Sequence, residues 1–272
     1  MKRLLLVRTA AIFGACIGLF ASAARAGGDA AAQPQDAATT LIAFVAANAT
    51  DPFNDLIAVF EHEHPGVRVV PEYAGTQILE TQAEQGAPFD VFVSADRAHV
   101  DALARERLVT GIAPLSEGHE VIVVPKDDPA GILSLRDLAE KPAKLVLAAG
   151  NVPIGTYTRQ VLARAALDYG RGFPDRVLAQ AVSFESNVKQ VLEKVALDEA
   201  DAGIVYFTDV TPAYASKVTI VPIPQKYEVE AANYIAAAAQ SRRPDLAREL
   251  VALAVGPAGQ AIFRRHGYDP LR

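Results

Sequence analysis

Short apolar segments alternate with helix-forming segments along most of the chain. Runs rich in Val, Ile, Leu and Ala predict nine β-strands, at 40–46, 67–73, 90–93, 120–124, 144–148, 181–184, 203–206, 218–221 and 233–238. Between the strands, apolar residues recur at helical spacing, as from Phe53 to Phe60. Strands that alternate with helices predict an α/β fold in which helices cover both faces of mostly parallel sheets.

Small polar residues mark the predicted starts of several helices. The predicted N-caps are Asp51, Asp96, Ser134 and Ser186. The first helix is predicted to stop at His64-Pro65-Gly66, because proline and glycine interrupt the pattern there. Further helices are predicted at 77–85, 97–105, 156–167, 187–197, 244–255 and 257–265.

The order of these segments predicts two lobes with a ligand cleft between them. We expect the chain to cross between lobes near 116–119 and again near 222–225, where prolines interrupt a β-rich stretch. Lobe 1 is therefore predicted to be discontinuous, with residues 39–118 plus 225–272, and lobe 2 to comprise residues 119–224. Ligands of open α/β sheets bind beyond the carboxyl ends of the strands, so both lobes would face one cleft.

The first residues have the features of a cleaved signal peptide. Three basic residues precede an apolar run at 10–21, and Ala24-Arg25-Ala26 is a typical cleavage site. Residues 1–26 are thus predicted to be removed on export to the periplasm, and 27–38 to form a loose tail. The single cysteine, Cys16, lies inside the apolar run, which continues through Phe20, so a lipid anchor at Cys16 is not expected.

Charge and motifs exclude several classes of function. The full chain has 26 Lys and Arg and 32 Asp and Glu. Removal of the signal peptide takes away four basic residues, so the mature protein has a net charge of −10. Such a field does not attract nucleic acid or anionic membranes. The sequence also lacks recognisable hydrolase, phosphate-loop and zinc-ligand motifs, so no enzyme and no cofactor is predicted.

Uncharged hydrogen-bond donors follow five of the predicted strands. They are Asn48, Gly75-Thr76, the turn at 152–155, the turn at 186–188, and Tyr206. Amide, hydroxyl and phenol groups together with free helix N–H groups suit a compact, dehydrated oxyanion. Taken singly, each residue could equally be a helix cap, a turn residue or an edge of the core.

The motifs at these turns resemble the periplasmic molybdate-binding proteins of ABC transporters. They are V-A-A-N-A-T at 45–50, G-A-P-F-D-V-F-V-S-A-D at 86–96, V-P-I-G-T-Y at 152–157, G-I-V-Y at 203–206 and G-P-A-G-Q-A-I-F at 256–263. The resemblance implies a monomeric binding protein that takes molybdate or tungstate between two lobes and delivers it to a membrane permease. The ligand-binding residues it implies are Asn48, Thr76, Ile154, Val188 and Tyr206, with Ile154 and Val188 acting through backbone N–H groups.

Two positions differ from the commonest pattern of that family, so the identity of the preferred anion stays open. Asn48 stands where serine is frequent, and Thr76 replaces a serine in a serine-rich turn. A ferric-ion or other small-anion binding protein of the same fold is the alternative, because such proteins use tyrosines and this chain has Tyr206 and Tyr214. Glu185, beside the turn at 186–188, should point away from a bound anion.

Overall fold

The computed structural model of the protein describes residues 39–269. The strands in that range are β1 (Thr39–Ala46), β2 (Val67–Ala74), β3 (Val91–Ser94), β4 (Val109–Gly118), β5 (Glu120–Pro125), β6 (Leu145–Ala148), β7 (Ala181–Glu185), β8 (Ala202–Tyr206), β9 (Val218–Pro222) and β10 (Ala231–Ala238). The helices are α1 (Thr50–Glu63), α2 (Thr76–Glu84), α3 (Arg97–Arg105), α4 (Asp137–Glu140), α5 (Pro153–Tyr169), α6 (Phe173–Ala179), α7 (Val188–Ala196), α8 (Pro212–Ala215), α9 (Pro244–Val255) and α10 (Pro257–Arg265). The predicted signal peptide with Cys16 and the predicted tail lie outside the described residues.

The strands form two five-stranded sheets of the same topology. Their orders are β2-β1-β3-β10-β4 and β7-β6-β8-β5-β9. In each sheet the first three strands are parallel, and the fourth runs antiparallel to both of its neighbours. All strands but that one therefore point the same way. This confirms the predicted α/β class, with mostly parallel sheets flanked by helices.

The chain passes between the two sheets twice. It enters the second sheet between β4 and β5, which are separated by His119, and it returns to the first sheet between β9 and β10. We call the first sheet with its helices lobe 1 and the second sheet with its helices lobe 2. The domain limits of 39–118 with 225–272 and of 119–224 stay predictions.

Each sheet is buried on both faces, as parallel sheets require. In β1, Leu41 and Val45 belong to the apolar cluster on one face, and Phe44 belongs to the cluster on the other. Burial of one such side chain stabilises the fold by about 1.5–3 kcal/mol. Because both faces are covered, the ends of the strands are the places where polar groups can gather.

Some elements differ from the sequence-based expectation. Strand β4 was not predicted, because it carries Thr110 and Glu117 among apolar residues, and an edge strand does not need to be apolar throughout. Helix α6 was also missed. Helix α5 begins at Pro153 rather than at 156, since proline is well suited to the first helical position.

The described residues contain no single helix that is long and apolar enough to cross a membrane. Helices α9 and α10 pass that test of length and composition only as a pair, bent by 56°. In the fold, this pair contributes Leu250, Ile262 and Phe263 to the core of lobe 1.

Candidate functional site

A small cavity lies between the lobes, at the carboxyl ends of β1, β2, β3, β6, β7 and β8. The residues that line it are Ala46, Ala47, Asn48, Gly75, Thr76, Ala95, Val152, Pro153, Ile154, Asn187, Val188 and Tyr206. Its volume is about 20 Å³. The structure thus brings all five predicted binding residues to one small cavity. Their role as ligands stays a prediction.

Helix N-termini from both lobes line this cavity. Thr76 is the first residue of α2, Ile154 the second of α5 and Val188 the first of α7. The first N–H groups of a helix have no acceptor within the helix, and they lie at the positive end of its dipole. Backbone donors from both lobes therefore surround a space in which an anion would be stabilised.

Thr76 is held in place by lobe 1 itself. Its side chain is buried, and its hydroxyl oxygen accepts a hydrogen bond from the backbone N–H of Ala95 at 3.1 Å. Since a hydroxyl has one hydrogen to donate, this contact leaves the Thr76 O–H free to donate elsewhere. Gly75, not Thr76, occupies the N-cap position of α2. The Thr76 hydroxyl is thus available to a ligand.

The predicted cap of α7 is wrong by one residue. Asn187 is the N-cap, and its side-chain oxygen accepts a hydrogen bond from the N–H of Gln190 at 3.1 Å. The hydroxyl of Ser186 instead donates to the side chain of Gln190 at 2.9 Å, and Ser186 is not among the lining residues. Both residues are good caps, so local sequence could not separate them. The predicted cap Asp51 likewise lies inside the first turn of α1 rather than at its N-cap position.

Tyr206 supplies a buried phenol at the end of β8. Its side chain is 4% exposed, and its hydroxyl has no hydrogen-bond partner among the described residues. Burial, followed by the nearby Tyr157, raises the pKa of Tyr206 well above its ordinary value. The hydroxyl therefore stays protonated and can donate a hydrogen bond. A buried donor without a partner costs free energy unless a ligand accepts its hydrogen bond.

Acidic groups near the site are turned toward other partners. Glu185 pairs with Lys194 at 2.6 Å and accepts from Ser183 at 2.7 Å, and it is not a lining residue of the cavity. Burial by itself would raise the pKa of Glu185. Hydrogen bonds from Lys194 and Ser183 outweigh this effect, so the pKa of Glu185 is lowered. Asp96 caps α3, as predicted, and binds His99 at 2.8 Å. The lining residues given above carry no charged side chain.

Two residues around Asn48 were missed at the sequence level. Asn48 donates from Nδ2 to Oδ1 of Asn233 at 3.0 Å, and its backbone carbonyl accepts from the hydroxyl of Tyr268 at 2.7 Å. Tyr268 follows the C-terminal motif at 256–263, and no local pattern links it to the site. Asn233 gave a weak signal, as an amide within an otherwise apolar strand, which the pattern alone cannot interpret.

Gly155 allows the start of α5 to approach the end of β6. A Cβ atom at this position would lie 1.9 Å from the carbonyl oxygen of Ala149 and 2.7 Å from that of Ala148. Both are backbone atoms, which cannot move aside without opening the turn. Glycine is therefore required here to place the N–H of Ile154 at the cavity.

Glu120 is a buried carboxyl group directly beside the site. It opens β5, is fully buried, and lies opposite Tyr206 in the sheet. Among the described residues, neither carboxylate oxygen has a hydrogen bond of normal geometry. Burial raises the pKa of Glu120 from 4.5 to about 7, and nearby backbone groups of Glu120 and Val229 oppose this shift.

This raised pKa predicts a pH-dependent stability that Glu120→Gln should remove. Between pH 4.5 and 7 the unfolded chain loses the Glu120 proton while the folded chain keeps it, so rising pH destabilises the wild type. The full effect, about 3 kcal/mol, is reached above pH 7. We expect Glu120→Gln to be more stable than wild type by that amount at pH 8, and about equal at pH 4, in urea unfolding.

The matched control for this experiment is Glu63→Gln, which changes an exposed glutamate on α1. Its stability should follow the wild type at both pH values, because an exposed carboxyl group is equally solvated in both states. A Glu120→Gln variant whose advantage over wild type is the same at pH 4 and pH 8 would contradict the assigned pKa.

The described residues near this cavity offer few ligands for a ferric ion. No group of three or more His, Cys, Asp and Glu side chains within 39–269 is arranged to hold a metal ion. Tyr206 lines the cavity, but Tyr214 lies on α8 and is not a lining residue. The cavity thus offers neutral N–H and O–H donors rather than anionic metal ligands.

Comparisons with known proteins agree with this architecture. The molybdate-binding protein ModA of Mycobacterium tuberculosis strain H37Rv is 32% identical over 252 residues, which cover 92% of this chain and 92% of that protein. ModA of Escherichia coli strain K12 is 28% identical over 235 residues, 83% of this chain and 87% of that protein. The periplasmic molybdate-binding protein of Azotobacter vinelandii superposes with a TM-score of 0.73 and 20% identity over 85% of this chain and 100% of that one.

The family assignment covers nearly all of the described residues. Residues 41–269 match the family described as bacterial extracellular solute-binding protein. This span includes all but the first two residues of the two sheets and every residue of the cavity. The chain therefore belongs to the bacterial extracellular solute-binding protein family.

Proposed function

We propose that this protein captures a tetrahedral oxyanion, molybdate or tungstate, in the periplasm and delivers it to an ABC permease. The names of the M. tuberculosis, E. coli and A. vinelandii proteins support molybdate as the first ligand to test. The ligand-binding residues in this proposal are Asn48, Thr76, Ile154, Val188 and Tyr206. Binding involves no covalent chemistry, and the protein acts as a monomer without a cofactor.

The observation that carries the proposal is an uncharged cavity lined by unused donors from both lobes. A buried dianion is costly unless its oxygens are hydrogen-bonded. Each donor to a charged acceptor contributes about 1.5–3 kcal/mol. The hydroxyls of Thr76 and Tyr206 and the N–H groups of Ile154 and Val188 together offset that cost without a cationic side chain.

Neutral donors also select for the protonation state of the ligand. An oxyanion that carries a proton, such as hydrogen phosphate, directs an O–H toward groups that are themselves donors, and one contact becomes repulsive. Molybdate and tungstate carry no proton at neutral pH. Sulfate also carries no proton, so the site can reject it only through its smaller size, which would leave donors of the two lobes too far from its oxygens.

A melting-temperature panel tests this proposal on the ligand-free protein. Ligand raises the unfolding free energy by RT ln(1 + [L]/Kd), about 2.7 kcal/mol at a hundredfold excess over Kd. For a chain of this length we expect molybdate or tungstate to raise Tm by about 5–10 °C. Sulfate and phosphate at the same concentration should raise it little.

The same panel includes Fe(III) and small carboxylates as controls for the alternative. A shift with Fe(III) and none with any oxyanion would replace the proposal by the ferric-ion alternative. Equal shifts with sulfate and molybdate would retain an oxyanion site but contradict the assigned selectivity.

A further inference from the structure

Three buried polar side chains form a continuous row that starts at the cavity. Asn48 Nδ2 donates to Asn233 Oδ1 at 3.0 Å, and Asn233 Nδ2 donates to Ser116 Oγ at 2.9 Å. The three side chains are buried, with Asn48 at 6%, Asn233 at 3% and Ser116 at 0% exposure. The row joins the turn after β1 to β10 and to β4, all within lobe 1.

In this arrangement the row leaves an unpartnered acceptor atom on Asn48. Nδ2 of Asn48 gives one of its two hydrogens to Asn233, and Oδ1 is buried and has no hydrogen-bond partner among the described residues. An amide oxygen can only accept, so it repels an oxyanion and attracts a hydroxyl hydrogen. Turning the Asn48 amide over would put Nδ2, with both of its hydrogens free, where the unpartnered oxygen now lies.

The far end of the row makes such a reversal possible at little cost. Amide groups keep their shape when the oxygen and nitrogen exchange places, and a serine hydroxyl can both accept and donate. In the reversed row, Ser116 Oγ donates to Asn233 Oδ1, Asn233 Nδ2 donates to Asn48 Oδ1, and both hydrogens of Asn48 Nδ2 are free to donate to a ligand. Both internal hydrogen bonds are kept, and the unpartnered oxygen gains a donor.

We propose that Asn233 and Ser116 are positioning residues that set whether Asn48 offers a donor or an acceptor to the ligand. One direction of the row suits a fully deprotonated oxyanion, and the other suits an oxyanion that carries a proton. The inference rests on the proposed function, since it concerns the ligand of the same cavity. It adds two residues to the site that do not touch the ligand themselves.

The test is a double-mutant cycle that combines Asn233→Asp with Asn48→Ala. A carboxylate accepts only, so the carboxylate introduced by Asn233→Asp would hold Asn48 Nδ2 and keep Oδ1 as the unpartnered atom. We expect Asn233→Asp to weaken molybdate binding at least about 100-fold when Asn48 is present, as measured by equilibrium dialysis. In the Asn48→Ala background the same change should cost at least about tenfold less than it does when Asn48 is present, because only the effect of the added charge remains.

The background comparison separates positioning from charge and from structural damage. Equal losses in both backgrounds would overturn the proposal, because charge repulsion and distortion do not require the Asn48 amide. Melting curves of the four proteins verify that each is folded at the assay temperature. A wild type that fails to bind molybdate would contradict the proposed function and this inference with it, whereas wild-type binding with equal losses would overturn this inference alone.

A second readout follows the reversal directly. In protein labelled with ¹⁵N-asparagine, the side-chain amide protons of Asn233 should shift when molybdate is added, because their acceptor changes from the Ser116 hydroxyl to the Asn48 carbonyl. Ser116→Ala removes the first acceptor and should change the ligand-free signal of Asn233. Asn233 amide signals that do not respond to molybdate would show a fixed row and contradict the proposal.

Discussion

Replacement of Gly75 by alanine should reduce oxyanion affinity at least about 100-fold while both lobes stay folded. Gly75 lies in lobe 1 at the rim of the cavity, and its added Cβ would come within 2.2 Å of the Ser186 carbonyl oxygen of lobe 2. The lobes contact each other closely here, since Gln77 Nε2 donates to the same carbonyl at 2.7 Å. A Cβ would therefore hold the lobes about 1 Å further apart.

The expected loss follows from the geometry of the shared donors. The proposed ligand is held by donors of both lobes, and hydrogen bonds weaken quickly beyond their normal length. Two misplaced donors to a charged ligand cost about 3–6 kcal/mol together, which corresponds to about 10²–10⁴ in Kd. Within lobe 1 the added Cβ would lie 2.6 Å from Gln77 Oε1, at the end of a flexible side chain that can move aside. The backbone tolerates alanine, because Gly75 is extended with φ −62° and ψ 139°.

Gly118→Ala is the matched control for this substitution. An added Cβ at Gly118 meets no atom of residues 39–269 within 4 Å, so binding and melting should both stay close to wild type. Calorimetric titration with molybdate and a thermal melt of each ligand-free variant give the two readouts. Wild-type affinity in Gly75→Ala would show that the ligand is bound without the close approach of Gly75 to Ser186.

Tyr206→Phe should weaken the oxyanion complex about 10- to 100-fold without destabilising the ligand-free protein. The lost hydroxyl is a donor to a charged ligand in the proposed complex, worth about 1.5–3 kcal/mol. In the ligand-free structure this hydroxyl is buried and has no partner within the described residues, so its removal relieves an unsatisfied group. We therefore expect Tm to stay the same or to rise slightly.

Tyr227→Phe, in an apolar cluster on the second sheet, provides the opposite pattern. The hydroxyl of Tyr227 donates to Asp168 at 2.6 Å, and the residue does not line the cavity. Its removal should lower Tm and leave molybdate affinity unchanged. If Tyr206→Phe lowers Tm as well and leaves affinity intact, the hydroxyl of Tyr206 is structural and does not belong to the proposed site.

Local pattern predicted the elements that carry the site, and their order predicted the lobes. Apolar runs located the strands that lead to Asn48 and Tyr206, because a strand buried on both faces must be apolar along its length. Edge strand β2, which leads to Thr76, is partly exposed and was located by its valines. Edge strand β4 was missed because it is partly exposed and lacks such a run of β-branched residues. Cap identity after β7 was misjudged because Ser186 and Asn187 have nearly equal preferences.

The sequence by itself determined the α/β class, the uncharged donors at the strand ends and the family resemblance, since each depends on residues close together in the chain. Only the tertiary structure decided which groups meet across the fold. The Asn48–Asn233 pair spans 185 positions, Asn233–Ser116 spans 117, and Gln77–Ser186 spans 109. Such contacts depend on sheet order and on the approach of the two lobes, which no local pattern of hydrophobic and polar residues encodes.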